Sequence, residues 1–416
     1  MNRETILKRY FERLKFEEVV TLLQKRGLFP QPRKGKKFKK QELLPHFLKL
    51  ESLVSNEELI SFVEYSVTRK TRGLPAYTHK LQNTQIFDGK TDSELSSYFK
   101  KENHAISEVY QVTSLFEGKE NNVIQLLFMV KEFESSWYSG EQTLDSLTAI
   151  YNCRVKIDLN KNIVTIFSGD DEVHSIVQSF LSRVFHVAQI ECRIKEVISS
   201  LSWTDNASYK TALFLDLINN RLKAKKIGAS FKEIKFQVDN DDIKDVTING
   251  KDIINYYLAC EYITLGKDII QFKTTIDYNA KSLSCSFALK GKDQDILKIV
   301  IADTPNEALR NEVIELIQDE YIAMCEHGIS DIKSIRKLLE AITLKFQEKE
   351  QFFSDVMKDN TLANLEALNK LLGGIGKSQK GIIQSIIDNN KVILETLKYD
   401  DIDGVLQPFE KWLRKQ

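Results

Sequence analysis

Apolar positions along the first eighty residues recur three and four apart, the spacing of one buried helix face. ILKRYFERL and FEEVVTLLQKRGL each carry such a stripe, and Gly27 stands where a C-terminal cap belongs. Ser55 and Glu58 have capping-box spacing and open a third run, ELISFVEYSVTRK, which Gly73 is expected to close. Pro45 lies within QELLPHFLKL; because a mid-helix proline costs about 3 kcal/mol, the helix is expected to start near it. Residues 1–80 therefore read as a helical domain.

The period then shortens towards two. ISEVYQVTSLF and NVIQLLFMVKEF are β-rich runs joined by EGKEN, a hairpin connection, and TAIYNCRVKIDL with NIVTIFSG forms a second hairpin across Asn160–Asn162. EVHSIVQSFLSRVF returns to helical spacing, with Val173, Ile176, Val177, Phe180 and Val184 on one stripe. Strands followed by a helix predict an α+β domain over residues 105–200. A helix at about 207–226 precedes four further strand-like runs, KEIKFQV, IIQFKTTID, KSLSCSFALKG and DILKIVIAD. A short helical patch, DIINYYLACEYI, interrupts them, and together they predict a second α+β unit within 207–305. From residue 306 to 416 the pattern is helical throughout, a bundle or arm. The expected architecture is multidomain, α plus α+β: an N-terminal helical domain, two central α+β units with mainly antiparallel strands, and a C-terminal helical region.

Composition refines this in two ways. The 416 residues are 42% hydrophobic and 28% charged, as in folded globular proteins, and the net formal charge is zero. That zero hides an asymmetry: residues 1–80 hold 18 Lys and Arg against 9 Asp and Glu, so the rest of the chain is acidic. An anionic partner for the basic part is the expectation. The five cysteines form no CxxC pair and support neither a disulfide framework nor a structural zinc site. The charged start, MNRETILKRYFERLK, lacks the apolar core of a signal peptide, and the run LLFMV falls far short of a membrane span, so no membrane partner and a cytoplasmic location are expected.

The densest chemistry is QPRKGKKFKKQ. Arg33, Lys34, Lys36, Lys37, Lys39 and Lys40 fall within eight positions around Phe38, in a loop entering a helix. Such a loop can bind a phosphate backbone by counterion release without reading bases. Arg69, Lys70 and Arg72 form a second basic set. If the two sets share a face, the helical domain can sit across a duplex backbone.

Other motifs are weaker. LLGGIGKSQK supplies the Gly376-Lys377-Ser378 half of a phosphate-binding loop, but Leu371 stands where the first glycine is required. The preceding TLANLEALNKLL has helical rather than strand spacing. A helix stop with Ser378 capping the next helix explains the letters better. Glu233 and Lys235 alternate on an apparent strand like the metal-binding strand of magnesium-dependent nucleases, with Asp205 or Asp216 as the acid to complete a site. Ordinary solvent-facing alternation gives the same pattern. The six histidines show no HxH or HExxH spacing, and no metal or cofactor site is expected. The expected function is a non-enzymatic, DNA-binding or otherwise nucleic-acid-binding adaptor in a larger assembly, with a protein partner or second copy held by the central and C-terminal regions. The alternatives are a protein–protein scaffold and a divergent nuclease using Glu233 and Lys235.

Overall fold

The computed structural model describes residues 3–31, 38–69, 74–134, 144–194, 205–238, 244–302, 304 and 306–415. Its first elements are α1 (Arg3–Arg13), α2 (Phe16–Lys25), α3 (Leu44–Leu48), α4 (Asn56–Val67), β1 (Leu74–Leu81), α5 (Asp92–Phe99) and β2 (Lys101–Ala105). Next come β3 (Tyr110–Glu120), β4 (Val123–Phe133), β5 (Leu147–Asp158), β6 (Ile163–Phe167), α6 (Asp171–Arg183) and β7 (Gln189–Glu191). A helical run follows as α7 (Tyr209–Asp216), a π turn (Leu217–Arg221) and α8 (Leu222–Ala224), then β8 (Gly228–Gln237), β9 (Asp245–Asn249) and α9 (Tyr257–Thr264). The chain ends with β10 (Ile269–Tyr278), β11 (Lys281–Lys290), β12 (Ile296–Ile301), α10 (Glu307–His327), α11 (Ile332–Leu371), α12 (Lys380–Thr396) and α13 (Ile402–Lys415). The layout is multidomain α plus α+β, with a large antiparallel sheet in the middle and a C-terminal helical region. Among the described residues, no helix is long and apolar enough to cross a membrane.

The chain divides into two compact units, one of residues 1–201, 217–230 and 270–328, the other of 202–216, 231–269 and 329–416. In the first, the strands run in the order β2-β3-β4-β5-β6-β1-β12-β11-β10. Strands expected in two separate α+β units thus share one sheet, joined through β1. LPAYTHKL, which ends the stretch expected to be helical, is strand β1 instead. Asn121 and Asn122, both at positive φ, make the two-residue turn between β3 and β4, so EGKE lies in the strand rather than in the connection.

Helices close both faces of this sheet. On one, α6 buries Val173, Val177 and Phe180 against Phe128, Val155 and Ile166, with Phe99 of α5 in the same core. On the other, Gln318 of α10 donates to the hydroxyls of Thr78 and Thr165, each at 3.0 Å, across the β1–β6 register that puts those threonines opposite one another. The edge of β1 facing away from β6 is shared by two strands. β12 pairs with Leu74–Tyr77 and β7 with His79–Leu81. Where they fork, the Tyr321 hydroxyl accepts from the Leu297 amide at 3.1 Å and donates to the Cys192 carbonyl.

The N-terminal helices pack on the same unit. Phe11, Leu23, Phe47, Leu59 and Val63 form a core completed by Phe133, Leu147 and Ile150 of the sheet region. Thr68 bridges Ile150, and the Arg69 amide donates to the Ile150 carbonyl at 2.8 Å. The Ser55–Glu58 capping box opens α4 and Gly27 ends α2 at φ +67°, as the sequence suggests. Pro45 stands in the first turn of α3. However, α4 stops at Val67, where Thr68 turns extended, and not at Gly73, which lies outside the described residues.

In the second unit, α11 is one continuous helix of 40 residues. Its C-terminal part packs with α12 and α13 around Leu365, Ile387, Leu394 and Phe409. Asp216 is buried and accepts from the Ser330 amide and hydroxyl, each at 2.8 Å, at the entry to α11.

Candidate functional site

Two places in the first unit gather polar chemistry. The first is the C-terminal turn of α1. Lys40 Nζ donates to the Glu12 carbonyl at 2.9 Å and lies 5.1 Å above the Phe11 ring. Gln41 adds a 3.2 Å bond to the Glu12 carboxylate. One residue further, Arg13 donates through Nε to the Ser66 carbonyl at 2.8 Å and through Nη2 to the Thr68 carbonyl at 3.4 Å. The last turn of α1 therefore bonds Lys40, where the first basic stretch ends, and the carbonyls of Ser66 and Thr68, just before Arg69 opens the second. Helix carbonyls are exposed at this end and their partial negative charge favours such cations. The Lys39 and Arg69 side chains are exposed. Arg33, Lys34, Lys36, Lys37, Lys70 and Arg72 lie outside the described residues. Arg13 was not singled out in sequence, since its relevance comes only from the packing of α1 on α4.

The weaker motifs fall out differently. Glu233 and Lys235 stand on β8 as expected, and the alternating Ile234, Phe236 and Val238 are buried. Lys235 forms an ion pair with Asp245 at 2.7 Å, Asp205 one with Arg336 at 3.2 Å, and Asp216 is engaged at Ser330. The Lys377 segment joins two helices, so the strand that a phosphate-binding loop requires is replaced by α11. Ser378 does not cap the next helix: the N-cap of α12 is Gln379, which makes no side-chain capping bond.

The second place was not legible in sequence. Among the described residues, one group of His, Cys, Asp or Glu side chains has ligand atoms close enough for a single ion: His79, His174 and Glu191, all within 4.8 Å of one another. The topology assembles it. His79 on β1 is the register partner of Glu191 on β7, so both side chains leave the same face, and α6 lays His174 over that face. His79 and His174 are buried and their Nε2 atoms are 2.9 Å apart. Tyr77, two residues along β1, stacks on His174 with ring centroids 3.9 Å apart. The Tyr77 hydroxyl bonds Asp171, which also receives Lys298 Nζ at 3.0 Å.

Burial governs the protonation here. Desolvation, with His174 alongside, holds His79 down to about 3, and desolvation holds His174 at about 4. Both imidazoles are neutral near pH 7, and each presents a lone pair. One must donate to the other across the 2.9 Å contact. His79 Nδ1 is then left as a buried nitrogen without a hydrogen-bond partner among the described residues. Burial also raises Asp171, but bonds from Tyr77, Lys298 and Lys290 outweigh it and bring the carboxyl to about 2.

Compared with known proteins, the chain matches no family model and no curated protein.

Proposed function

We propose that this protein is a non-enzymatic adaptor that grips a nucleic-acid backbone through its N-terminal helices. The observation that carries the reading is that the last turn of α1 bonds Lys40 through Glu12 and, through Arg13, the carbonyls just before Arg69, which supports bringing the described ends of the two basic stretches to one surface. Lysines and arginines on such a surface act by neutralising phosphates and releasing their counterions, a mode that needs no base readout and no catalytic group. Duplex DNA is the preferred partner, because two basic segments flanking one helix end suit the two strands of a groove. The adaptor half of the proposal draws on α11, where Phe352, Phe353, Val356 and Met357 are exposed, an apolar stretch suited to a protein partner or a second copy.

The test is a titration of the full chain with fluorescently labelled duplex DNA, and with RNA in parallel, over a range of salt concentrations. Substituting alanine for Lys36, Lys37, Lys39 and Lys40 together is expected to weaken binding and to flatten the log–log salt slope by up to about 0.9 per lost phosphate contact. Unchanged affinity and slope would remove nucleic acid from the reading.

A further inference from the structure

The geometry points to a divalent transition-metal site of the zinc class at His79, His174 and Glu191, binding where α6 crosses β1 and β7. The ligand set decides the class. Two imidazoles and one carboxylate suit zinc and its neighbours, whereas calcium and magnesium take oxygen ligands and monovalent copper takes thiolates and thioethers. The three positions are rigidly presented. His79 is held between β6 and β7, Glu191 is fixed opposite it by the strand register, and His174 is fixed by the Tyr77 ring stacked upon it.

The distances fit a site that closes on its ion. Zinc–nitrogen bonds of about 2.0–2.1 Å set tetrahedral nitrogen–nitrogen separations of about 3.3 Å. The observed 2.9 Å between the two Nε2 atoms needs only a small parting of the rings. The remaining ligand atom lies within 4.8 Å and is carried by a side chain on the rim. A cation taking the Nε2 lone pair of each ring replaces the single imidazole–imidazole hydrogen bond, with the proton of each neutral ring carried on Nδ1. Glu191 is at the same time bonded by Arg193 at 2.6 Å, a partner that orients one carboxylate oxygen and leaves the other for the ion. Three protein ligands leave one position for water or a small anion.

The experiment uses the full chain after chelator treatment and desalting. Zn²⁺ alone is titrated by calorimetry, with bound metal counted by mass spectrometry, and Co²⁺ is titrated in parallel for its visible absorption. One equivalent of Zn²⁺ and tetrahedral-type Co²⁺ bands are expected. Glu191→Gln keeps the shape and the Arg193 bond, and should weaken Zn²⁺ at least about tenfold, the smallest cost seen even for residues that only support ligands. His174→Gln should lower it further, with circular dichroism confirming that both variants fold. Wild type binding less than a tenth of an equivalent would overturn the site. So would one equivalent held equally well by Glu191→Gln and by His174→Gln, since that ion would sit elsewhere. If His174→Gln fails to fold, Glu191→Gln with the Co²⁺ spectrum decides alone.

Discussion

Replacing Tyr321 with phenylalanine removes one oxygen from the fully buried fork between β7 and β12. That oxygen serves two backbone groups: it accepts from the Leu297 amide at 3.1 Å and donates to the Cys192 carbonyl. Each net bond is worth about 0.5–1.5 kcal/mol, and a buried group left without a partner costs about 1–3 kcal/mol. The loss of both partners at once therefore sets an expected destabilisation of about 2–4 kcal/mol, the upper end applying if no water enters. Ring packing is unchanged, so cavity formation adds nothing. Urea unfolding followed by far-ultraviolet circular dichroism should show a lower midpoint with an unchanged slope. Hydrogen exchange should quicken in the peptide containing Leu297, while peptides of α12 and α13 keep their rates. A loss below about 0.5 kcal/mol, the size expected of a surface substitution, would mean that the amide and carbonyl have other partners and that the fork is not held by Tyr321.

Three further outcomes follow from other parts of the molecule. Ser55→Ala removes the hydroxyl that accepts from the Glu58 amide at 3.1 Å, and should cost about 1 kcal/mol in the same urea assay, whereas Ser55→Asp should restore it. Burial raises the thiols of Cys153 to about 12 and Cys192 to about 11, and lifts Cys260, Cys285 and Cys325 as well, so Ellman's reagent at pH 8 should find no fast thiol in the native protein and five after denaturation. Asp171 is held at about 2 in the fold against an ordinary 3.8, so its contribution is present above about pH 4 and is lost as pH falls towards 2; the Asp171→Asn variant should lack that component, and identical acid-unfolding profiles would show that Tyr77 and Lys298 do not depend on the carboxylate.

What the sequence made legible was local. The capping box at Ser55, the glycine stop at Gly27, the turn at Asn160–Asn162 and the alternation of Ile234, Phe236 and Val238 each rest on neighbours within a few residues, and each is present in the structure. β1 was hidden because eight residues containing Pro75 carry little strand signal of their own; three strands, β6 on one edge and β12 and β7 on the other, make it one. Asp359, Asn360 and Thr361 are poor helix formers in the middle of α11, but packing at Leu365 and the Thr361 hydroxyl bonded to the Met357 carbonyl at 2.8 Å carry the helix through. The grouping of positions 79, 174 and 191 arises only from strand register and a helix crossing, so no spacing rule could reveal it. A faint trace existed: His174 sits beside Val173 and Val177 on the stripe that α6 buries.

The placement of β1 also sets a timetable. As the ribosome delivers the chain, β1 emerges early, but its pairing with Ile299–Ile301 waits for about 200 more residues. At roughly 5–20 residues per second that is an interval of about 10–40 s. Throughout it, the half of β1 that β12 later covers presents unpaired amides and carbonyls to whatever strand arrives first, a known route to misassociation. A nascent chain stalled before residue 296 should therefore recruit chaperones or aggregate, and release of a chain that has passed residue 301 should end that exposure within a single step.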